Sequence, residues 1–148
     1  MQKQKRLTVS EAELERAAAF RSALRRFLAR TNDVSAGAGL TSQRYDLLLA
    51  IKTGEGEAST VSELVTTLSL PQPAVTELVK RAEEAGLIER SVGADRRVSV
   101  LRLSEQADER LMRAFVALRE ERRQLAEAMR AVDASFRAFA RSQNEVAE

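Results

Sequence analysis

Residues 72–84 combine two kinds of side chain in one helical repeat. Val75, Leu78, Val79 and Ala82 recur at i, i+3, i+4 and i+7, the spacing of a single apolar face. The remaining surface, Gln72, Pro73, Ala74, Thr76, Glu77, Lys80 and Arg81, is small, hydrogen-bonding or charged. Amides and hydroxyls of this kind pair with the donors and acceptors on base edges, and cations pair with phosphate oxygens. Glu77 is a poor neighbour for phosphate; it either accepts from a cytosine amino group or pairs with Arg81 four residues on. A second cationic pair, Arg96-Arg97, follows Asp95 in a short turn, where it suits a minor groove or a phosphate clamp. Asp95 itself either fixes the turn or pairs with an arginine.

Residues for bond-making chemistry are missing. The chain has no Cys and no His, which excludes thiol nucleophiles, thiol redox switching, the usual zinc and copper ligand sets and His-based acid–base catalysis. Gly54-Glu55-Gly56-Glu57 follows a helical stretch and carries two carboxylates, so it reads as an acidic turn rather than a phosphate loop. No nucleophile elbow is present either. The expectation is a binding protein, not an enzyme, without metal or cofactor.

Among 148 residues, 24 are Lys or Arg and 22 Asp or Glu, a net charge of only +2. Overall charge therefore gives no argument for a polyanionic partner, and the placement of the cations must carry it. Hydrophobic residues at 44% and charged residues at 31% are a globular composition that can bury a core. No apolar run approaches the ~20 residues that cross a bilayer, and the basic start, Met1 to Arg6, has no signal-peptide segment behind it. These features predict a cytoplasmic protein that does not engage a membrane.

The elements that position the two cationic groups follow from local signals. Ser10 and Glu13 have capping-box spacing before a helix to about Thr31, with Phe20, Leu24, Phe27 and Leu28 on one face. Asp33 to Gly39 reads as a loop. Thr41 caps a helix to Thr53, which Gly54 is placed to end as a left-handed residue. Thr60 and Glu63 form a second capping box, opening a short helix through Leu64, Val65 and Leu68. After Ser69-Leu70-Pro71 comes the Gln72–Glu84 helix, with Pro73 in its first turn and Gly86 beyond its end. Leu87–Ser91 and Val98–Leu103 then read as a hairpin with its turn from Val92. Ser104 caps a long last helix, with a bend expected near Ala131, where Asp133 could cap a separate piece.

Two short helices joined by a tight turn, followed by a basic-tipped hairpin, make a winged helix-turn-helix, in which the second helix enters the major groove. The predicted fold is mainly α with a small β-hairpin wing. The winged helix-turn-helix spans 40–103, and residues 1–39 and 104–148 form a helical region around it, the whole making one compact domain. The same module also serves as a protein–protein interaction domain without direct DNA readout, and charged helix faces are often simply solvated, so the pattern leaves both readings open.

Leu111, Phe115, Leu118, Arg122, Leu125, Met129, Val132, Phe136 and Phe139 follow one another at alternating steps of four and three. This heptad-type seam needs a large apolar cover, either a second subunit or the first helix of the same chain. Burying one Leu or Phe contributes ~1.5–3 kcal/mol, so a wet seam would be costly. Arg122 is either a snorkelling rim residue or a paired charge that sets register.

Leu40-Thr41-Ser42-Gln43-Arg44-Tyr45-Asp46-Leu47-Leu48, Val75-Thr76-Glu77-Leu78-Val79-Lys80-Arg81, Gly86-Leu87-Ile88-Glu89-Arg90 and Asp95-Arg96-Arg97 stand in the order and spacing of MarR-type transcriptional regulators. The resemblance covers nearly the whole chain. It implies a homodimer built by the first and last helices, here through Leu14 and the seam residues Leu111, Phe115, Leu118, Leu125, Met129, Val132, Phe136 and Phe139. It implies that double-stranded DNA with a pseudo-palindromic operator is the partner, contacted by Gln72, Pro73, Ala74, Thr76, Glu77, Lys80 and Arg81 and by wing residues Arg96 and Arg97. It further implies a repressor relieved by a small aromatic or anionic effector, in a pocket where Phe20, Leu24, Tyr45 and Phe115 fall; ordinary core packing accounts for these four as well. Two departures stand out. Pro71 occupies the place of a common capping Ser, and the wing is about one residue shorter and lacks an early Asp.

Overall fold

The computed structural model describes residues 9–145, for 135, 136 and 139–145 the backbone alone. The order is α1 (Glu11–Gly37), α2 (Ser42–Lys52), a short 3-10 turn (Glu55–Glu57), α3 (Val61–Leu68), α4 (Gln72–Glu84), β1 (Ile88–Val92), β2 (Ser99–Leu103), α5 (Glu105–Ala117) and α6 (Arg119–Glu145). This is the expected helical fold with a two-stranded antiparallel hairpin. The strands pair from Ile88 with Leu103 to Val92 with Ser99.

The chain forms two compact units. One is Thr31–Leu118, and the other holds the described segments 9–30 and 119–145. The boundary differs from the one read in the sequence, because α5 and the end of α1 belong with the winged helix. Leu111 and Ala114 of α5 and Leu118 at its end are shut from water in the same core as Leu47, Leu48, Ile51, Leu64, Val75, Val79 and Leu101. In the other unit, Ala23 is buried, and Arg30 Nε pairs with Glu121 at 3.2 Å, joining α1 to α6.

Three local expectations change. α1 does not end at Thr31 but runs to Gly37, through the stretch expected as a loop. Val34 and Ala38 pack against the winged-helix core, and that apolar burial outweighs the weak helix propensity of Asn32 and Asp33. The helix closes where Gly39 takes φ +74°. There the N–H of Leu40 donates to the Ser35 carbonyl at 2.8 Å and that of Gly39 to Ala36 at 3.0 Å.

The second change is at Gly54. It is not left-handed: φ is −69° and ψ 165°. Glycine is needed there for space, since a Cβ would stand 2.0 Å from the Ala58 carbonyl oxygen. The third concerns the last helix, which breaks at Leu118 (φ −96°, ψ 11°) and not near Ala131. Asp133 lies inside α6 and pairs with Arg137 at 2.9 Å. Burial of Leu118 fixes the break, a tertiary cause that a continuous heptad pattern does not reveal.

The sequence also hid a third edge in the wing. Ser59, just before α3, exchanges both backbone hydrogen bonds with Leu101 of β2, at 3.0 and 2.8 Å. The wing is thereby tied to the entry of the helix-turn-helix as well as to α4.

The space at Gly54 gives a direct test. Gly54→Ala forces the Ala58 carbonyl to move and is expected to destabilise by about 1–3 kcal/mol. Gly56→Ala meets open space at φ +63° and should cost about 1–2 kcal/mol from backbone strain alone. Chemical denaturation midpoints of the two variants should fall in that order.

Candidate nucleic-acid interface

The helix-turn-helix is assembled from its caps. Thr60 Oγ1 accepts from the Glu63 N–H at 3.2 Å, and Glu63 Oε2 accepts from the Thr60 N–H at 2.8 Å and from the Ser59 hydroxyl at 3.1 Å. The Thr60 backbone bond, with help from Ser59, holds the Glu63 carboxyl below its ordinary value. α3 ends at Ser69, whose left-handed conformation (φ 54°, ψ 41°) turns the chain into α4.

α4 covers Gln72–Glu84, as the residue pattern predicts. Val75, Val79 and Ala82 are fully buried and Leu78 half-buried. Gln72, Pro73, Ala74, Thr76, Glu77, Lys80 and Arg81 are all exposed, so one helix carries every predicted contact residue outside the wing on its solvent side. Its start has an unusual chemistry. Pro71 is the N-cap and supplies no side-chain acceptor. Pro73 has no N–H, and the Ala74 N–H donates to the Pro71 carbonyl at 3.0 Å. The first turn therefore presents fewer backbone donors to an anion than a Ser-capped helix does.

Glu77 resolves into one of its two readings. Its Oε1 accepts from Arg81 Nε at 2.8 Å, one helical turn on. Asp95 likewise fixes the wing turn: its Oδ1 accepts from the Arg97 N–H at 3.1 Å, and its carbonyl accepts from the Val98 N–H at 2.9 Å. Both Arg96 and Arg97 are exposed at the tip. Glu77 and Asp95 are thus both engaged within the protein.

One link was missed in the sequence. Arg90 of β1 donates twice to Glu83 of α4, at 2.9 and 3.0 Å. The paired guanidinium holds the Glu83 carboxyl below, and itself above, the ordinary value. This fork joins the α4 helix to the strand that carries the wing tip. Its signal was present, two opposite charges flanking the Gly86 turn, but one lies on a helix and the other on a strand, so no single period relates them. Gln43 and Arg44 were missed too; they stand beside Ala74, Glu77 and Arg81 around a groove of about 390 Å3.

The other predicted residues belong to several elements. Phe20 and Leu24 are half-buried on α1, Tyr45 is buried in the winged-helix core, and Phe115 is half-buried on α5. Of the seam, Leu111 and Leu118 are buried within one chain, so their burial needs no partner. Leu125 and Val132 are half-buried, whereas Leu14 and Met129 leave more than half their surface in water. The side chains of Phe136 and Phe139 lie outside the described residues. Among the described residues no group of acidic side chains could hold a metal ion, and no helix is long and apolar enough to cross a membrane.

Residues 38–98 match the model of the MarR family. A search of the curated proteins gives no match. Among solved structures, the chain is similar to AbsC, a MarR family transcriptional regulator from Streptomyces coelicolor, with 19% identity, TM-score 0.68, and 94% of this chain and 99% of that one covered. It is also similar to a mutant MarR from E. coli complexed with operator DNA, with 16% identity, TM-score 0.65 and coverage of 80% and 89%. A third is Bordetella bronchiseptica BpsR, in work on regulation of its DNA binding by 6-hydroxynicotinic acid, with 17% identity, TM-score 0.61 and coverage of 81% and 89%.

The α3 cap has a pH signature. A carboxyl held below its ordinary value of 4.5 contributes stability that is present above that value and lost as pH falls through the folded-state value. Glu63→Ala should lower Tm at neutral pH, and the gap from the parent should close in acid. Thermal melts of both proteins between about pH 7 and about pH 3 check this.

Proposed function

We propose that the chain, which matches the MarR family model over residues 38–98, is a dimeric, sequence-specific DNA-binding regulator of transcription of that family, a repressor released by a small-molecule effector. The observation that carries this reading is α4. Its inner face is locked into the core, its outer face presents Gln72, Ala74, Thr76, Lys80 and Arg81, and the Glu83–Arg90 fork couples it to the Arg96-Arg97 tip.

In this reading Gln72 and Thr76 meet base edges in the major groove, with Pro73 and Ala74 allowing close approach. Lys80 and Arg81 bind phosphates, and the wing arginines reach the flanking minor groove or backbone. Glu77 acts indirectly, by holding Arg81. Arg44, beside α4, adds a further cation on the same face.

Dimerisation is supported by apolar side chains that one chain leaves wet: Leu14, Leu28 and Met129 are each more than half exposed. Leu125 and Val132, half-buried on α6, lie in the same heptad spacing as Met129, and in the sequence that spacing runs on through Phe136 and Phe139. Two-fold symmetry would space the two α4 helices about one DNA turn, ~34 Å, apart. The operator-bound MarR and the BpsR whose DNA binding 6-hydroxynicotinic acid regulates support the DNA and effector parts of the proposal. Within the Thr31–Leu118 unit, Tyr45 and Phe115 are proposed effector-contacting residues, and the cytoplasm is the proposed location.

A gel shift with DNA from upstream of the protein's own gene tests the reading. A complex should form at low salt and weaken steeply as salt rises. Arg96→Ala with Arg97→Ala should weaken binding across all sequences and reduce the salt slope by about two, one per lost phosphate contact. Gln72→Ala or Thr76→Ala should instead change the preferred sequence. No complex with any duplex at low salt would refute the proposal.

A further inference from the structure

A groove of about 580 Å3 opens among α2, α3 and α5, wholly within the Thr31–Leu118 unit. That volume is in the range of small-molecule sites, roughly 300–1,000 Å3. Its apolar walls are Leu49 of α2, Leu68 of α3 and Phe115 of α5, and its hydroxyls are Thr53 and Thr67. Asp46 is the only charged side chain among the described residues that line it. The Thr53 hydroxyl already donates to the Leu49 carbonyl at 2.9 Å, so towards the groove it offers lone pairs. The polar lining is therefore rich in acceptors and holds one negative charge.

We propose that this groove binds a small organic cation, a protonated amine on an apolar or aromatic body, with Asp46 as its counter-ion. Desolvation raises the Asp46 carboxyl above its ordinary value, and no opposing pull from a nearby cation accompanies it. The carboxylate stays exposed at the groove surface, and a bound ammonium would give it a counter-ion there. The apolar walls would take the body of the ligand, and Phe115, itself in the lining, adds an aromatic ring suited to cation–π attraction. An anionic ligand would meet repulsion from Asp46 and no compensating cation. The site shares only Phe115 with the four residues expected to line an effector pocket, and its ligand has the opposite charge from an anionic effector. α3 forms one wall and packs on α4, so occupancy bears on the outer face of α4. That consequence rests on the DNA-binding reading; the binding itself does not.

The test uses the full chain without DNA. Isothermal calorimetry compares phenethylamine, phenethyl alcohol and hydrocinnamate, which share a ring and differ in the charge of the head group. The amine should bind about tenfold more tightly than the alcohol, and the carboxylate more weakly than either. Asp46→Asn should bring the amine to the level of the alcohol and leave the alcohol unchanged. Thr67→Trp, at an exposed position, should fill the groove and abolish amine and alcohol binding together; thermal melts establish that both variants fold. Equal affinity of parent protein for amine and alcohol, an amine preference that survives in Asp46→Asn, or no amine binding at all would overturn the proposal. So would a Thr67→Trp variant that shifts the monomer–dimer equilibrium in sedimentation yet leaves amine binding intact, since the groove would then seat a second copy. A gel shift without any amine is read separately, so failure of the groove and failure of the DNA-binding reading remain distinct.

Discussion

The burial of one face of α4 is the constraint on which the site depends. Val75, Val79 and Ala82 are withdrawn from water into a core shared with α2, α3, β2 and α5. A helix held this way cannot rotate without exposing those side chains, at ~1.5–3 kcal/mol for each of the larger ones. The fixed rotation decides which residues face outward, and so puts Gln72, Thr76, Lys80 and Arg81 on the solvent side together. The surrounding contacts serve the same end. The Thr60–Glu63 box starts the bracing helix, Ser69 turns the chain, and the Glu83–Arg90 fork carries the rigidity of α4 into the wing.

With a net charge near zero, the protein has no general attraction for polyanions, and local arrangement supplies what the total does not. Three carboxylates in this region are occupied: Glu77 by Arg81, Glu83 by Arg90, and Asp95 by the backbone of its own turn. These pairs are exposed, so they add little to stability. Their value lies in orientation. The Pro71 and Pro73 start of α4 shifts the balance the same way, because a helix terminus poor in free N–H groups leaves phosphate binding to side chains.

The apolar row from Leu111 to Phe139 does two jobs. Its first part, through Leu118, closes the winged-helix core from within the chain; its later part, on α6, includes Met129, largely in water. The break at Leu118 divides them. A single periodic pattern therefore conceals a change of partner, from the chain's own core to a surface that in the proposed dimer a second copy covers. The groove bounded by Asp46 and Phe115 belongs to the first of these parts, built entirely within the Thr31–Leu118 unit.

Periodicity and capping residues were enough to place α2, α3, α4 and the hairpin, because each depends on groups a few residues apart. The outward set on α4 was legible for the same reason: the i, i+3, i+4 spacing of Val75, Leu78 and Val79 implies its complement. What the sequence could not decide involved groups that meet only after folding. The extension of α1 past Asn32 rests on the packing of Val34 against the winged-helix core, and the end of α5 on the burial of Leu118. The Ser59–Leu101 bridge joins segments far apart in the chain, and the need for glycine at 54 comes from a carbonyl that approaches from Ala58. For Glu77 the residues alone allowed two partners, and the ion pair with Arg81 chose one. Local pattern thus determined the elements and their exposed chemistry, while long-range packing decided where they stop and how the wing is held to the helix.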